Sequence, residues 1–164
     1  EYVHITEGNV TDYAEIRKFI TGVVIQDNTL TTIPGSVAER YNLCGLAYDR
    51  FNSSQLVIDL IGDGITATPH GQGFVSMSQP TKEIERMCLD GELWHTGDKL
   101  LAWEVANVFI QMDPAGNVKP NKEKAADKID GVVAMAMSVG EMLHHLANPE
   151  EDDSIPTDWV PRWV

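Results

Sequence analysis

The strongest pattern in the chain is a stripe near its C-terminal end. Ile129, Val132, Val133, Ala136, Met137, Gly140 and Leu143 recur at i, i+3, i+4, i+7, i+8, i+11 and i+14. That spacing gathers apolar side chains on one face of an α-helix, predicted to start near Asp127 and to fade at Leu146. A second helical pattern covers residues 11–20, where Thr11 or Asp12 can cap and Tyr13, Ile16, Phe19 and Ile20 repeat. Residues 22–32 are β-branched and poor in helix formers, which predicts a loop with a strand; Pro34 then opens a short helix over 35–40. The apolar run 43–48 predicts a buried strand ending at Asp49. Asn52 and Gln55 have capping-box spacing before a helix that buries Leu56, Val57, Leu60 and Ile61 and stops at Gly62 and Gly64. Alternation over 65–70 gives the next strand, completing a strand–helix–strand unit with parallel pairing. Residues 71–80, rich in Gly, Ser and Pro, read as a loop, and 81–90 as a helix with Ile84, Met87, Cys88 and Leu89 inward and Gly91 as its stop. A short extended segment at 93–95, a helix over 99–106, a strand over 105–112 and a turn at 113–117 follow.

At 164 residues the expectation is one domain with a real core. Hydrophobic residues at 43% and charged residues at 23% exclude wholesale disorder. No run approaches the ~18 consecutive apolar residues of a membrane span, and the first residues have no signal-peptide pattern. There is no initiator Met, so a processed, trimmed or fragmentary chain is expected. Cys44 and Cys88 both lie among apolar neighbours and read as small buried hydrophobes in a reducing compartment. The net charge of −13, from 25 acids and 12 bases, argues against nucleic-acid binding by bulk charge; any such function must rest on local features. Five of the acids lie after Pro149, opposed there only by Arg162, in an acidic tail that carries Trp159 and Trp163; without that tail the body is still −9.

No phosphate-binding loop, nucleophile elbow or zinc-protease motif is present. Adjacent His144 and His145 point about 100° apart on a helix and read as solvent-facing. Two acids stand out. Asp49 follows a strand directly, at the end where α/β sheets gather ligands; a plain turn residue is the alternative. Asp130 flanks the buried stripe, where a carboxylate needs a cation, a metal or hydrogen-bond donors; simple pairing with the helix N-terminus is the alternative, although Asp127 is the natural N-cap. Together they suggest a divalent-cation site, since Mg²⁺ is held by one or two carboxylates plus waters and phosphate. Asp12, Asp27, Asp59, Asp63, Asp90, Asp98 and Asp113 read as solvated. Lys119, Lys122, Lys124 and Lys128 form the basic cluster, either a phosphate contact or a solvated loop.

Several segments in order resemble one family. Leu46-Ala47-Tyr48-Asp49-Arg50-Phe51-Asn52 resembles the "AYDxxN" segment of large terminase subunits from tailed phages and prophages. Gly71-Gln72-Gly73-Phe74, continuing through Ser78-Gln79-Pro80-Thr81-Lys82-Glu83-Ile84-Glu85-Arg86, resembles "QGF…S.PTKELER". Gly91-Glu92-Leu93-Trp94-His95 with Trp103 and Asn107-Val108 resembles "G.L.H…W…NV". Lys119-Pro120-Asn121-Lys122-Glu123-Lys124 and Lys128-Ile129-Asp130-Gly131 resemble "KP.KEK…KIDG". The resemblance implies the C-terminal nuclease domain: α/β, a ribonuclease H-like mixed sheet flanked by helices, with acids binding two Mg²⁺ or Mn²⁺ ions. It implies endonucleolytic cutting of double-stranded concatemeric phage DNA in the bacterial host cytoplasm, away from any membrane. A separate ATPase domain, the small subunit and the portal are the implied partners.

By position Asp49 and Asp130 match the family's metal-binding and catalytic acids, and Asp127 is a neighbouring ligand. Lys119, Lys122, Lys128 and His95 are the expected DNA contacts. The family's first metal-binding Asp lies upstream of this chain's start, so the expectation is a nuclease domain over 1–148 lacking its first strands, followed by the tail 149–164. Alone it would be weak or inactive. Residues 22–33 also look longer than the family's usual stretch. A non-catalytic remnant acting as a protein-interaction domain is the alternative. Another ribonuclease H-like nuclease such as a resolvase is disfavoured by the segment from Gln72 to Arg86.

Overall fold

The computed structural model describes residues 11–26, 29–50 and 54–148, in two compact units, Glu1–Thr68 and Pro69–Val164. Asn52 of the expected capping box and the acidic tail lie outside the described residues.

In the first unit, α1 (Tyr13–Thr21) starts where Asp12 predicts it, the Asp12 carboxylate accepting the N–H groups of Ala14 at 2.9 Å and Glu15 at 3.3 Å. Gly22 ends it at φ 73°, a conformation that favours glycine; a Cβ there would also stand 2.8 Å from the Ile33 carbonyl. That close approach ties α1 to an antiparallel hairpin of β1 (Val23–Gln26) and β2 (Thr29–Thr32), with Val23 opposite Thr32. Two strands thus stand where one was expected. Ser36 caps the short α2 (Val37–Arg40) through the Glu39 N–H. β3 (Leu46–Tyr48) pairs with β4 (Ala67–Pro69), and α3 (Ser54–Gly62) connects them. Leu60 is fully enclosed and Val57 nearly so, whereas Ile61, expected inside, is exposed. The expected buried strand is shorter than its apolar run and half-buried, and so is Cys44. Asp63 is not solvated: Arg17 donates to both of its oxygens, a geometry that suits a half-buried carboxylate.

The second unit is built on α6 (Asp130–Ala147), whose buried residues Val132, Val133, Ala136 and Met137 are those of the sequence stripe, with Val139 added. It packs against α4 (Phe74–Leu89), which in turn covers β6 (Val118–Pro120). β6 pairs antiparallel with β5 (Ile110–Met112) across the expected turn, and α5 (Lys99–Asn107), capped by Asp98, also lies on α6. β6 itself was not expected. Among the described residues the strands therefore form three two-stranded sheets, not one mixed sheet.

The largest correction is α4, which begins at Phe74 rather than at 81. Pro80, which suggested a loop, sits inside the helix, where it lacks an N–H. Tertiary packing offsets that loss. A Cβ on Gly140 would be 3.0 Å from the Pro80 ring, so α4 and α6 approach closely there; Ser78, one turn from the helix start, accepts the Val118 N–H at 3.2 Å. Starting earlier also fixes the phase. Met77, Ser78, Pro80 and Met87 face inward, leaving Cys88 and Leu89 exposed against expectation.

This phase predicts opposite outcomes for neighbouring substitutions. Met87 is 6% exposed and Leu89 81%. Met87→Ala should lower the unfolding free energy by about 2–5 kcal/mol, and Leu89→Ala by no more than about 0.5 kcal/mol. Urea titration of both variants reads the difference.

Candidate metal and nucleic-acid site

The α6 N-terminus carries the candidate chemistry. Asp130 is the first helical residue, and the N-cap position is held by Ile129, which has no capping side chain. Asp127, expected as the cap, is exposed and accepts the Lys128 N–H at 2.8 Å. Asp130 is not buried on the stripe's flank; its side chain is 65% exposed. It meets the need for a cation by pairing with the Lys122 ammonium. Lys122, by hydrogen bond and by charge, together with the more distant Lys128, holds the Asp130 carboxyl below its ordinary range, against a smaller desolvation effect. Asp130 is therefore an ionised hard-oxygen donor throughout the neutral range.

The loop that delivers Lys122 is tied down at two points. The Asn121 side chain accepts the N–H groups of Glu123 at 2.9 Å and Lys124 at 3.1 Å and donates to Gln111 at 2.7 Å; its backbone N–H reaches the Phe109 carbonyl at 2.9 Å. Further on, the Ala126 N–H donates to the Asn107 carbonyl at 3.1 Å. Beside the loop lies a cavity of about 280 Å³ whose polar walls are Gln72, Gln111, Lys119, Asn121, Lys122 and Glu123. The Lys119 ammonium donates to the Gln72 carbonyl at 3.4 Å and lies 5.4 Å from the Phe74 ring centre. Lys124 similarly stands 5.4 Å from the Phe109 ring.

The structure thus brings Lys119, Lys122 and Asp130 into one neighbourhood, with Lys128 acting on Asp130 by charge. His95 lies on an exposed segment, where its Nδ1 accepts the Gly97 N–H at 3.1 Å. Asp49 belongs to the first unit, half-buried and directly after β3, the place its sequence context gives it. No group of three or more His, Cys, Asp and Glu side chains positioned for a metal occurs among the described residues. One residue of this neighbourhood has no sequence signal: Glu104, in the middle of α5 and 6% exposed, accepts the Val132 N–H at 3.0 Å.

An α/β unit with an ionised acid opening its last helix, a lysine-lined cleft beside it and the segments quoted above define a class. The chain matches the family described as terminase large subunit, endonuclease domain, over residues 5–146, and belongs to it. It is 33% identical over 133 residues to the terminase large subunit of Enterobacteria phage HK97, covering 72% of this chain and 26% of that protein. It is 28% identical over 153 residues to the protein YmfN of Escherichia coli K12, covering 92% of this chain and 30% of the other. The crystal structure of the HK97 bacteriophage large terminase superposes with a TM-score of 0.65 at 30% identity, over 83% of this chain and 26% of that one. The chain thus spans between a quarter and a third of the length of these relatives.

The Lys122 pair has a titration consequence. A carboxylate held below its ordinary value adds stability that is full above the unfolded-state pKa and is lost as pH falls through the folded-state one. Lys122→Met should move the Asp130 pKa up toward its ordinary value, followed by carboxyl NMR titration. Because the pair is exposed, the accompanying loss of stability at neutral pH should stay within ~0.2–1 kcal/mol.

Proposed function

We propose that this chain is the DNA-cutting part of a phage packaging terminase and acts by metal-dependent endonucleolytic cleavage of double-stranded DNA. The observation that carries the reading is the Asp130 carboxylate, kept ionised at the start of α6 beside a cleft walled by Lys119 and Lys122, in a chain of the terminase endonuclease family. The reading includes the ribonuclease H-like class of fold, to which the likeness to the HK97 terminase lends support.

The donor chemistry fits a hard divalent cation. Asp49 and Asp130 supply carboxylate oxygens, Asp127 is a neighbouring candidate, and Mg²⁺ or Mn²⁺ needs only one or two protein carboxylates when water and phosphate complete the shell. Such ions would supply an activated water and neutralise charge on the scissile phosphate. The protein's own part would be to offer a carboxylate ligand from each unit, Asp49 in the first and Asp130 in the second, and to seat the DNA backbone. Lys119 and Lys122 line the cleft, and Lys128 adds charge; these are backbone contacts that position the duplex without reading sequence. His95 is a weaker candidate for the same role. Double-stranded phage DNA in the bacterial host cytoplasm is the proposed substrate, with an ATPase domain, a small subunit and a portal as partners of the whole motor.

A second reading, a non-catalytic interaction domain, is favoured by the net charge of −13, which opposes long-range attraction to DNA. Plasmid nicking with excess Mn²⁺ separates the two. A form extended upstream to include the first strand that the family resemblance implies should nick, and Asp49→Asn or Asp130→Asn in that form should lower the rate by more than about 100-fold. An inert extended form overturns the nuclease reading and puts the interaction domain first.

The lysine contacts make a separate prediction. Lys119→Ala and Lys122→Ala should each weaken duplex binding about equally for unrelated sequences and lower the slope of log K against log[salt] by about 1. Fluorescence anisotropy at several salt concentrations measures both effects.

A further inference from the structure

Glu104 is the one charged residue among the buried residues described, and nothing assigned so far uses it. It projects from the middle of α5 to the start of α6 and accepts the Val132 N–H at 3.0 Å. With Ile129 at the N-cap, Val132 is the third helical residue, and its N–H is the one a capping side chain ordinarily takes. The carboxylate also sits at the positive end of the helix, where a negative charge is favoured. It lies close against Gly131: a Cβ there would stand 2.6 Å from one Glu104 oxygen and 3.4 Å from the other. Asp130 precedes this clasped pair directly.

We propose that Glu104 is the positioning residue for Asp130. It serves as the N-cap that α6 lacks in its own local sequence, fixes the first turn by accepting the Val132 N–H and closing against Gly131, and so sets the direction in which the Asp130 carboxylate leaves the helix. Gly131 is the matching half of the device, because its missing Cβ makes room for the carboxylate. The role depends on Glu104 as a hydrogen-bond acceptor and not on contact with metal or DNA. It rests on the assignment of Asp130 as a metal ligand.

The test measures Mn²⁺ binding to this chain, by electron paramagnetic resonance of free Mn²⁺ and by Mn²⁺-induced broadening of the amide signals of residues 130–132. Glu104→Met keeps the bulk and removes the acceptor; Mn²⁺ affinity should fall about 10–100-fold, the usual cost of losing a group that orients a ligand. Glu104→Gln keeps an acceptor oxygen and should bind within a few-fold of wild type. Gly131→Ala serves where Glu104→Met does not fold. Alanine raises helix propensity, so a merely structural account predicts an unchanged or firmer helix, whereas a Cβ that displaces the carboxylate should weaken Mn²⁺ binding as Glu104→Met does. Unchanged affinity in Glu104→Met or in Gly131→Ala, or a loss in Glu104→Gln equal to that in Glu104→Met, overturns the proposal. Asp130→Asn is the control for the reading beneath it: if it leaves Mn²⁺ binding intact, the Asp130 assignment itself falls, whatever the Glu104 variants do.

Discussion

The second unit depends on a conflict at the first turn of α6. The helix buries its apolar stripe from the outset: Ile129, at the N-cap position, is 1% exposed. A core residue there serves packing but has no oxygen to give to the orphan N–H groups that every helix start leaves. Burying those donors unpaired would cost about 1–3 kcal/mol each. The chain meets the conflict by separating the two tasks. Ile129 fills the core, Glu104 of α5 supplies the acceptor at Val132, and the candidate acid Asp130 is left on the outward side of the same turn. Core, cap and candidate chemistry thus meet within residues 129–132.

What could be read from sequence follows the same division. The stripe of α6 was legible because five of its seven positions repeat what the buried surface requires, and the cap of α1 was legible because Asp12 stands next to the turn it closes. Asp130 was singled out by its place beside the stripe and by the "KIDG" resemblance, yet its surroundings were misjudged. The expected cap, Asp127, lies outside the helix, and the partner of Asp130, Lys122, arrives from a loop eight residues upstream. Glu104 was illegible for a plain reason: its hydrogen bond spans 28 residues, and helical periodicity says nothing about contacts between helices.

The start of α4 illustrates the opposite failure, a local signal that was clear and outvoted. Gly, Ser and Pro between residues 71 and 80 all disfavour helix. The structure uses each of them. Gly73 occupies the N-cap, Ser78 turns its hydroxyl to the Val118 N–H of the neighbouring strand, and Pro80 faces Gly140, where the absence of a side chain lets the two helices close. Residues that read as breakers one at a time act here as contacts. Because the inward face of α4 was assigned from its second half alone, Cys88 and Leu89 were placed on the wrong side.

The electrostatics of the site run against those of the whole chain. A net charge of −13 repels a polyanion at long range, but that repulsion is screened over roughly 8–10 Å at physiological salt. Within that distance the local set decides, and around the cleft it is Lys119 and Lys122 against the one acid Glu123, with Lys128 near Asp130. The exposed Lys122–Asp130 pair is cheap to separate, at ~0.2–1 kcal/mol. A phosphate competing for Lys122 and a divalent cation competing for Asp130 would each be opposed by only that small term, and each would relieve the other of it. A buried pair in the same place would have locked both groups. Its exposure is what leaves the first turn of α6, held at Val132 by Glu104, with an outward carboxylate whose pairing to Lys122 is easily exchanged.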